Sequence, residues 1–195
     1  KAAERFARGL LDKLGVTMIW RALSMRYHDV DVPADAEDRC PMTEIAIRTA
    51  TPEEADAITG VAMRSKAYWG YDDHFMETFR PELTVTPEQI EHDHVAIAER
   101  DGRIAGFVHL RPESDDTLEL VSLFIDTWAI RQGIGQRLWD YALVHAREHG
   151  YRAVTLESDP NAEAFYSRQG AVETGKRESP LMPGRVLTLM TITLD

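Results

Sequence analysis

The chain has 195 residues, of which 44% are hydrophobic, and its formal net charge is −11. This length suits one domain with a short appendage, and the acidic charge argues against nucleic acid, because duplex-binding proteins usually carry a basic face. We find no apolar run long enough for a membrane span and no signal-peptide pattern. The single cysteine, Cys40, excludes an intramolecular disulfide, so we expect a cytoplasmic protein.

Residues 1–41 are expected to form a helical extension and a linker that precede a main domain at 42–195. Phe6, Leu10 and Leu14 recur at four-residue spacing, which predicts a helix within residues 1–28. Residues 29–38 are acidic, contain a proline and lack helical periodicity, as is typical of a linker. The glycine that an EF-hand loop requires is absent there, so calcium is not expected.

The next part of the chain predicts one strand followed by three helices. Residues 44–48 alternate polar and apolar side chains, as a half-buried strand does. Thr51 is a good N-cap, with a proline and two acids in the first turn, and the helix is predicted to run to about Lys66. Further helices are predicted over roughly 73–79 and after Thr86.

Strands dominate from residue 94 onward. Two strands, at 94–100 and 103–111, flank an Asp-Gly pair that is a strong hairpin signal. The remaining predicted elements are a strand at 117–125, a helix at 133–150, a strand at 151–157, a short helix at 161–168 capped by Asn161, and closing antiparallel strands at 171–175 and 186–194. The order β-α-α-α-β-β-β-α-β-α-β-β indicates a mixed α/β fold.

The first motif, Ile130-Arg131-Gln132-Gly133-Ile134-Gly135, leads from a strand into a helix. Glycines let backbone N–H groups approach an anion closely, and a helix N-terminus adds a positive partial charge, so this loop suits a phosphate. The sequence matches neither a P-loop nor a dinucleotide fingerprint. Alternatively, the glycines only allow the helix to pack closely on the sheet.

The second motif is Asn161-Ala162-Glu163-Ala164-Phe165-Tyr166, again after a strand. Asn161 and Tyr166 are more than one helical turn apart, so both can border one cleft. Alternatively, Asn161 only caps the helix and the two aromatic residues only pack.

Together, the two motifs resemble the GNAT (GCN5-related N-acetyltransferase) family. The glycine loop is similar to its pyrophosphate motif, Gln/Arg-x-x-Gly-x-Gly/Ala, and the second motif resembles its coenzyme A and catalytic helix. Ile130 occupies the usual Gln/Arg position, and Arg131 stands where glycine is common. The resemblance covers residues 44–195 and implies an α/β (α+β mixed) fold with a central, mostly antiparallel twisted sheet of six to seven strands flanked by helices.

The resemblance implies transfer of an acetyl group from acetyl-CoA, as co-substrate, to a primary amine by direct attack on the thioester. An alkyl amine has a pKa near ~10, so a base must take its proton, and the leaving thiolate benefits from a proton donor. The family pattern makes Tyr166 the candidate acid, and Glu119 is the candidate base, directly or through water. His109 is the reserve base. Strand alternation also allows Glu119 a merely solvated position, and a lone strand histidine is more often structural.

Binding residues follow from the same resemblance. Coenzyme contacts are expected from Phe124, Ile125, Arg131, Gln132, Gly133, Ile134, Gly135, Gln136, Asn161 and Phe165. The acceptor wall is expected to include Tyr68, Trp69, Tyr71 and His109; the aromatic rings either enclose an ammonium group by cation–π contact or cover the edge of the core. His74, His92 and His94 lack the spacing of a structural metal site, and the chemistry needs no metal.

The expected acceptor is a small-molecule amine or a peptide, with neither nucleic acid nor membrane as a partner, and a homodimer is compatible with this fold. Two other functions remain open. One is a non-catalytic acyl-CoA sensor, against which Tyr166 weighs. The other is an interaction protein whose N-terminal helix docks on a partner.

Overall fold

The computed structural model of the protein describes residues 45–195. The helix expected over residues 1–28, the acidic linker and Cys40 lie outside the described residues.

The first half of the described chain contains a strand and three helices, as predicted. Their bounds are β1 Ala46–Thr49, α1 Ala55–Ala67, α2 Asp73–Leu83 and α3 Pro87–His92, with a 3-10 turn at Pro52–Glu54 before α1. The Thr51 N–H donates to the Glu54 carboxylate at 2.8 Å. At α3, Thr86 and Gln89 exchange a pair of backbone–side-chain hydrogen bonds, which forms a capping box.

The second half also follows the predicted order. Its elements are β2 His94–Arg100, β3 Arg103–Pro112, β4 Thr117–Ile125, a 3-10 turn Thr127–Ala129, α4 Ile134–Glu148, β5 Ala153–Ser158, α5 Glu163–Arg168, β6 Val172–Glu178 and β7 Val186–Thr193. The prediction that Asn161 caps α5 is wrong, because Ala162 occupies the N-cap position. The Asn161 side chain instead donates from Nδ2 to the Tyr71 hydroxyl at 3.1 Å, and the Asn161 N–H donates to Asp159 Oδ1 at 3.0 Å.

Seven strands form one sheet in the order β1-β2-β3-β4-β5-β7-β6. Every neighbouring pair is antiparallel except β4 and β5, which run parallel. Asp101 and Gly102 join β2 to β3 with φ values of 55° and 69°, the left-handed geometry that a two-residue hairpin requires. The mixed fold and the mostly antiparallel sheet flanked by helices are therefore confirmed.

The sheet separates two apolar clusters. Trp139 of α4 belongs to one, and Ile58 of α1 belongs to the other. Strand β2 contributes to both, because Ala96 faces the α4 side whereas Ile97 faces the α1 side. Both faces of the sheet are thus covered, and functional side chains are confined to its edges and to places where strands separate.

Strands β4 and β5 separate partway along their length. They pair over four positions, from Thr117 opposite Ala153 to Leu120 opposite Leu156, and β4 then continues to Ile125 beside β3 alone. Val121 is an extra residue in β4 relative to β3, so a bulge lies directly after the last β4–β5 pair. Because bulges bend a strand and increase its twist, this residue accounts for the departure of β4 from β5.

Candidate active site

A cavity of about 480 Å³ lies where β4 and β5 separate. Its walls come from the C-terminal ends of α1 and α2, from β4 residues 119–124, from α5 and from the β6–β7 hairpin. Glu119 and Tyr166, the predicted base and acid, both line it. This size is ordinary for a small-molecule site.

Tyr166 lies in α5 with its ring packed between Trp139 and Phe165, at centroid distances of 5.5 and 5.1 Å. Within residues 45–195, no group forms a hydrogen bond with its hydroxyl, which is left free to meet a ligand in the cavity. Burial, and secondarily the negative charge of Asp159, raise the pKa of Tyr166 well above its ordinary value. The phenol therefore keeps its proton at neutral pH.

Glu119 projects from β4 between two buried leucines, Leu118 and Leu120, and faces the opposite side of the strand from them. Its Oε2 accepts a hydrogen bond from Arg111 Nη2 at 2.6 Å, across the β3–β4 pair. Its Oε1 has no partner within the described chain. Glu119 is thus half-buried, anchored through one oxygen and free to accept a proton on the other.

The glycine loop before α4 takes the conformation that an anion site requires. Gly133 is the N-cap with φ 77°, and a Cβ added there would meet nothing within 4 Å. Arg131 also lies in the left-handed region, with φ 63°, which explains physically why glycine suits that position. The first N–H groups of α4 have no intrahelical acceptor and point out of this helix end.

Only some of the other predicted coenzyme residues lie at the loop or the cavity. The Ile134 side chain is buried in the core, and Asn161 lies outside the cavity lining. Phe124 lines the cavity, and Ile125 and Phe165 approach Gly135, where an added Cβ would lie 3.8–3.9 Å from both side chains. The side chain of Gln132 hydrogen-bonds Arg100 and the Trp128 carbonyl, and that of Gln136 bonds Asp140 and Gln169. The loop therefore offers backbone donors, while its glutamine side chains are engaged in the protein.

None of the four residues predicted for the acceptor wall lines the cavity. Tyr68 and Trp69 are 51% and 52% exposed. Tyr71 stacks on Phe75 at 3.9 Å, and its hydroxyl donates to Asp159, which does line the cavity, at 3.0 Å. His109, the predicted reserve base, is 1% exposed, and its Nε2 lies 2.7 Å from the Asp93 carboxylate.

A charged cluster around Asp159 was not predicted. Lys66 Nζ and Arg185 Nη2 each lie 2.6 Å from Asp159 Oδ2, and Asn161 Nδ2 donates to the Tyr71 hydroxyl at 3.1 Å. Burial acts to raise the pKa of Asp159, but the hydrogen bond and charge of Lys66 outweigh it and lower that pKa to about 2. Asp159 is therefore ionised at neutral pH.

Only one signal in the sequence could have pointed to this cluster. Asp159 directly follows a strand and precedes a helix, where functional side chains often collect. Lys66 ends a helix, and Arg185 follows a glycine in a hairpin, which are ordinary places for solvated cations.

Two searches of the described residues gave negative results. Residues 45–195 contain no group of three or more His, Cys, Asp or Glu side chains arranged to hold a metal ion. No helix in the same part of the chain is long and apolar enough to cross a membrane.

Comparison with known proteins agrees with this geometry. The model of the Acetyltransferase (GNAT) family matches residues 62–171, more than half of the chain. The protein therefore belongs to the GNAT family of acetyltransferases.

One relative is similar to part of the chain in sequence. Human N-acetyltransferase 8 is 34% identical over 88 residues, which are 41% of this chain and 39% of that protein. The match thus spans well under half of that relative's length.

Two solved structures share the fold. PaiA N-acetyltransferase from Thermoplasma acidophilum, in complex with coenzyme A, is 19% identical with a TM-score of 0.67, covering 77% of this chain and 99% of its own. The ribosomal-protein-S18-alanine N-acetyltransferase of Escherichia coli is 21% identical with a TM-score of 0.60, covering 77% and 94%.

Proposed function

We propose that this protein transfers an acetyl group from acetyl-CoA to a primary amine by direct attack of the amine on the thioester. One observation carries the proposal: Glu119 and Tyr166 line the same cavity at the point where β4 and β5 separate. A base and a proton donor are thus available to one substrate complex.

Glu119 takes a proton from the attacking amine, directly or through one water molecule. The amine nitrogen bonds to the thioester carbonyl carbon, a tetrahedral oxyanion forms, and the carbon–sulfur bond then breaks. The Tyr166 hydroxyl gives its proton to the departing sulfur, so the products are an N-acetyl amine and the free thiol of coenzyme A. A tyrosine hydroxyl is protonated at neutral pH even at its ordinary pKa of about 10, and burial raises the pKa of Tyr166 further, so the form that this step needs is present.

The fit of acetyl-CoA rests on two features of the chain. The open space over Gly133 lets the diphosphate approach the backbone donors at the start of α4. The β4 segment 121–125, which β5 does not pair, presents backbone groups to an extended amide-containing arm. The coenzyme A in the PaiA complex supports the same co-substrate here.

The transferase domain in this proposal is residues 42–195, and residues 1–41 form an extension outside it. The described chain from residue 45 contains the whole seven-stranded sheet and the cavity. The matched family segment also lies within these limits.

Two measurements on the full chain test the proposal. Acetyl-CoA at a hundredfold excess over its Kd should stabilise the protein by about 2.7 kcal/mol, seen as a rise in Tm. A screen of primary amines with acetyl-CoA should then release thiol for at least one acceptor. Absence of any thermal shift at millimolar acetyl-CoA would refute co-substrate binding. A shift without turnover on any amine would instead favour an acyl-CoA sensor.

A further inference from the structure

The cations that line the cavity differ in the number of carboxylates available to pair with them. Arg111 pairs with Glu119 and Arg177 pairs with Glu157, each at 2.6 Å and each one to one. Lys66 and Arg185, in contrast, share the single carboxylate of Asp159. Among the ion pairs of the lining, this is the place where two cations meet one carboxylate.

Both cations are held in place and largely removed from water. The side chains of Lys66 and Arg185 are 11% and 12% exposed. The Arg185 guanidinium carbon lies 4.8 Å from the Phe75 ring centroid and 5.2 Å from that of Phe79. Such cation–π contacts orient the guanidinium without using its hydrogen-bond donors.

Most hydrogen-bond donors of the two cations remain unused. Lys66 carries three donors and Arg185 five, yet in residues 45–195 each makes one hydrogen bond, to the same oxygen of Asp159. Arg185 Nε is buried and has no acceptor within that part of the chain. Two largely buried cations that share one carboxylate are incompletely neutralised, so an added anionic oxygen beside them would stabilise the arrangement.

One further acid acts on this cluster. Glu82, at the end of α2, lines the same cavity and its charge opposes the effect of burial on the pKa of Lys66. Glu82 is exposed and forms no hydrogen bond with either cation, so water screens its charge. It weakens the field of the two cations at the mouth of the cavity without occupying their donors.

We propose that Lys66 and Arg185 bind a carboxylate group of the acceptor, so that the acceptor is an amino acid rather than a simple amine. This inference rests on the proposed acetyl transfer. A guanidinium and an ammonium that meet at one oxygen can grip a second carboxylate through two charge-assisted bonds. The carboxylate fixes one end of the acceptor, and its amine lies between Glu119 and Tyr166 in the same cavity.

The overall charge of the protein neither favours nor opposes such an acceptor. A net charge of −11 would repel an anionic substrate at long range and attract a cationic one. A zwitterionic amino acid has no net charge, so the long-range field has little effect on it. Lys66 and Arg185 then decide whether an acceptor with a carboxylate is preferred over one without.

The test compares matched acceptors on the full-length protein. Leucine and 6-aminohexanoate are each assayed beside the corresponding primary amide and the amine that lacks the carboxyl group, with acetyl-CoA saturating. We expect kcat/KM for at least one of the acids to exceed those of its two analogues by tenfold or more. For leucine, the primary amide is the stringent comparison. Its amide group lowers the pKa of the neighbouring amine, so a larger fraction of that amine is unprotonated and able to attack.

Variants assign the effect to the cations. Arg185→Met keeps an apolar stem against the aromatic rings and should abolish the preference for the acid, whereas Arg185→Lys should keep part of it. Arg177→Met, which removes a cation matched one to one, should leave the preference unchanged. Glu82→Gln should increase it. The shift of Tm with acetyl-CoA reports whether each variant is folded.

Binding of the products separates the two proposals. The Tm with coenzyme A is measured with N-acetylleucine or 6-acetamidohexanoate, and with the amide of each. If an acid raises the Tm and its amide does not, and no acceptor is turned over, the result would support the carboxylate site and contradict acetyl transfer. Equal turnover of acids and amides, or an unchanged preference in Arg185→Met, would overturn the carboxylate site. If there is no turnover and the acids stabilise no more than the amides, both proposals fail.

Discussion

The glycine loop before α4 and the cluster around Asp159 present hydrogen-bond donors by opposite means. The loop is one contiguous segment whose donors are backbone N–H groups, and its shape depends on left-handed φ angles at Arg131 and Gly133. The cluster uses side chains from three segments: Lys66 lies 93 residues before Asp159, and Arg185 lies 26 residues after it. The loop can therefore tolerate changes of side chain that keep its φ angles, whereas the cluster depends on each of its residues.

The largest effect is expected from Tyr166→Phe, because Tyr166 lines the cavity and is the proposed general acid. The variant loses only the hydroxyl, so ring packing is kept, and turnover should fall on the order of a hundredfold if the hydroxyl is the general acid. Affinity for acetyl-CoA should change little. Single-turnover rates and the Kd for acetyl-CoA check both parts.

Tyr141→Phe is the matched control for that variant. The Tyr141 hydroxyl contacts His94 Nε2 at 2.9 Å and lies outside the cavity lining, so turnover should be unchanged. Equal rates in Tyr166→Phe and the wild type, where chemistry limits turnover, would show that another group protonates the thiolate.

A smaller effect is expected from Gly133→Ala, compared with Gly150→Ala. Both glycines have positive φ, 77° and 82°, and open space around the α-carbon. Each substitution should cost about 1 kcal/mol of stability because alanine is strained in the left-handed region. Only Gly133→Ala should also weaken acetyl-CoA binding, by about tenfold if it displaces one charge-assisted hydrogen bond. Equal Kd values in both variants would mean that the glycines serve only the fold.

A pH-dependent effect is expected away from both regions. His145 of α4 stacks between His94 and His149, at 3.7 and 4.0 Å, and burial, with the charges of His94 and His149, lowers its pKa to about 4. Between about pH 6.5 and about pH 4 the unfolded chain binds a proton at His145 and the folded protein does not. The stability of the folded protein should therefore decrease as the pH is lowered through this window. His145→Gln should lose less Tm than the wild type between about pH 7.5 and about pH 5. An equal loss in both proteins would assign the acid sensitivity elsewhere.

The smallest effect is expected from deletion of residues 1–41. We expect the remaining chain to keep its acetyl-CoA affinity and turnover, because the sheet, the glycine loop and the Asp159 cluster all lie within residues 45–195. Kinetics of the truncated and full-length proteins check this. Loss of both folding and activity would show that the extension belongs to the core.

The sequence predicted the order of elements well because the relevant signals are local. The Asp101-Gly102 turn and the periodicity of α4 each depend on a few neighbouring residues. The cap of α5 was predicted wrongly because the Asn161 side chain bonds the hydroxyl of Tyr71, 90 residues earlier in the chain, a contact that no local signal shows. The cluster around Asp159 could not be predicted from local signals, because the residues that pair with Asp159 come from distant segments. Nothing in the sequence around a single lysine or arginine indicates which carboxylate it will pair with.

The bulge at Val121 has a consequence for association between molecules. A strand with unpaired backbone groups is normally a hazard at the rim of a sheet, where another chain can add to it. In this fold the unpaired part of β4 lies inside the sheet, between β3 and β5, and it lines the cavity. Another chain adds to a sheet at an outer strand, so these unpaired backbone groups are offered to a ligand and not to a partner strand at the rim.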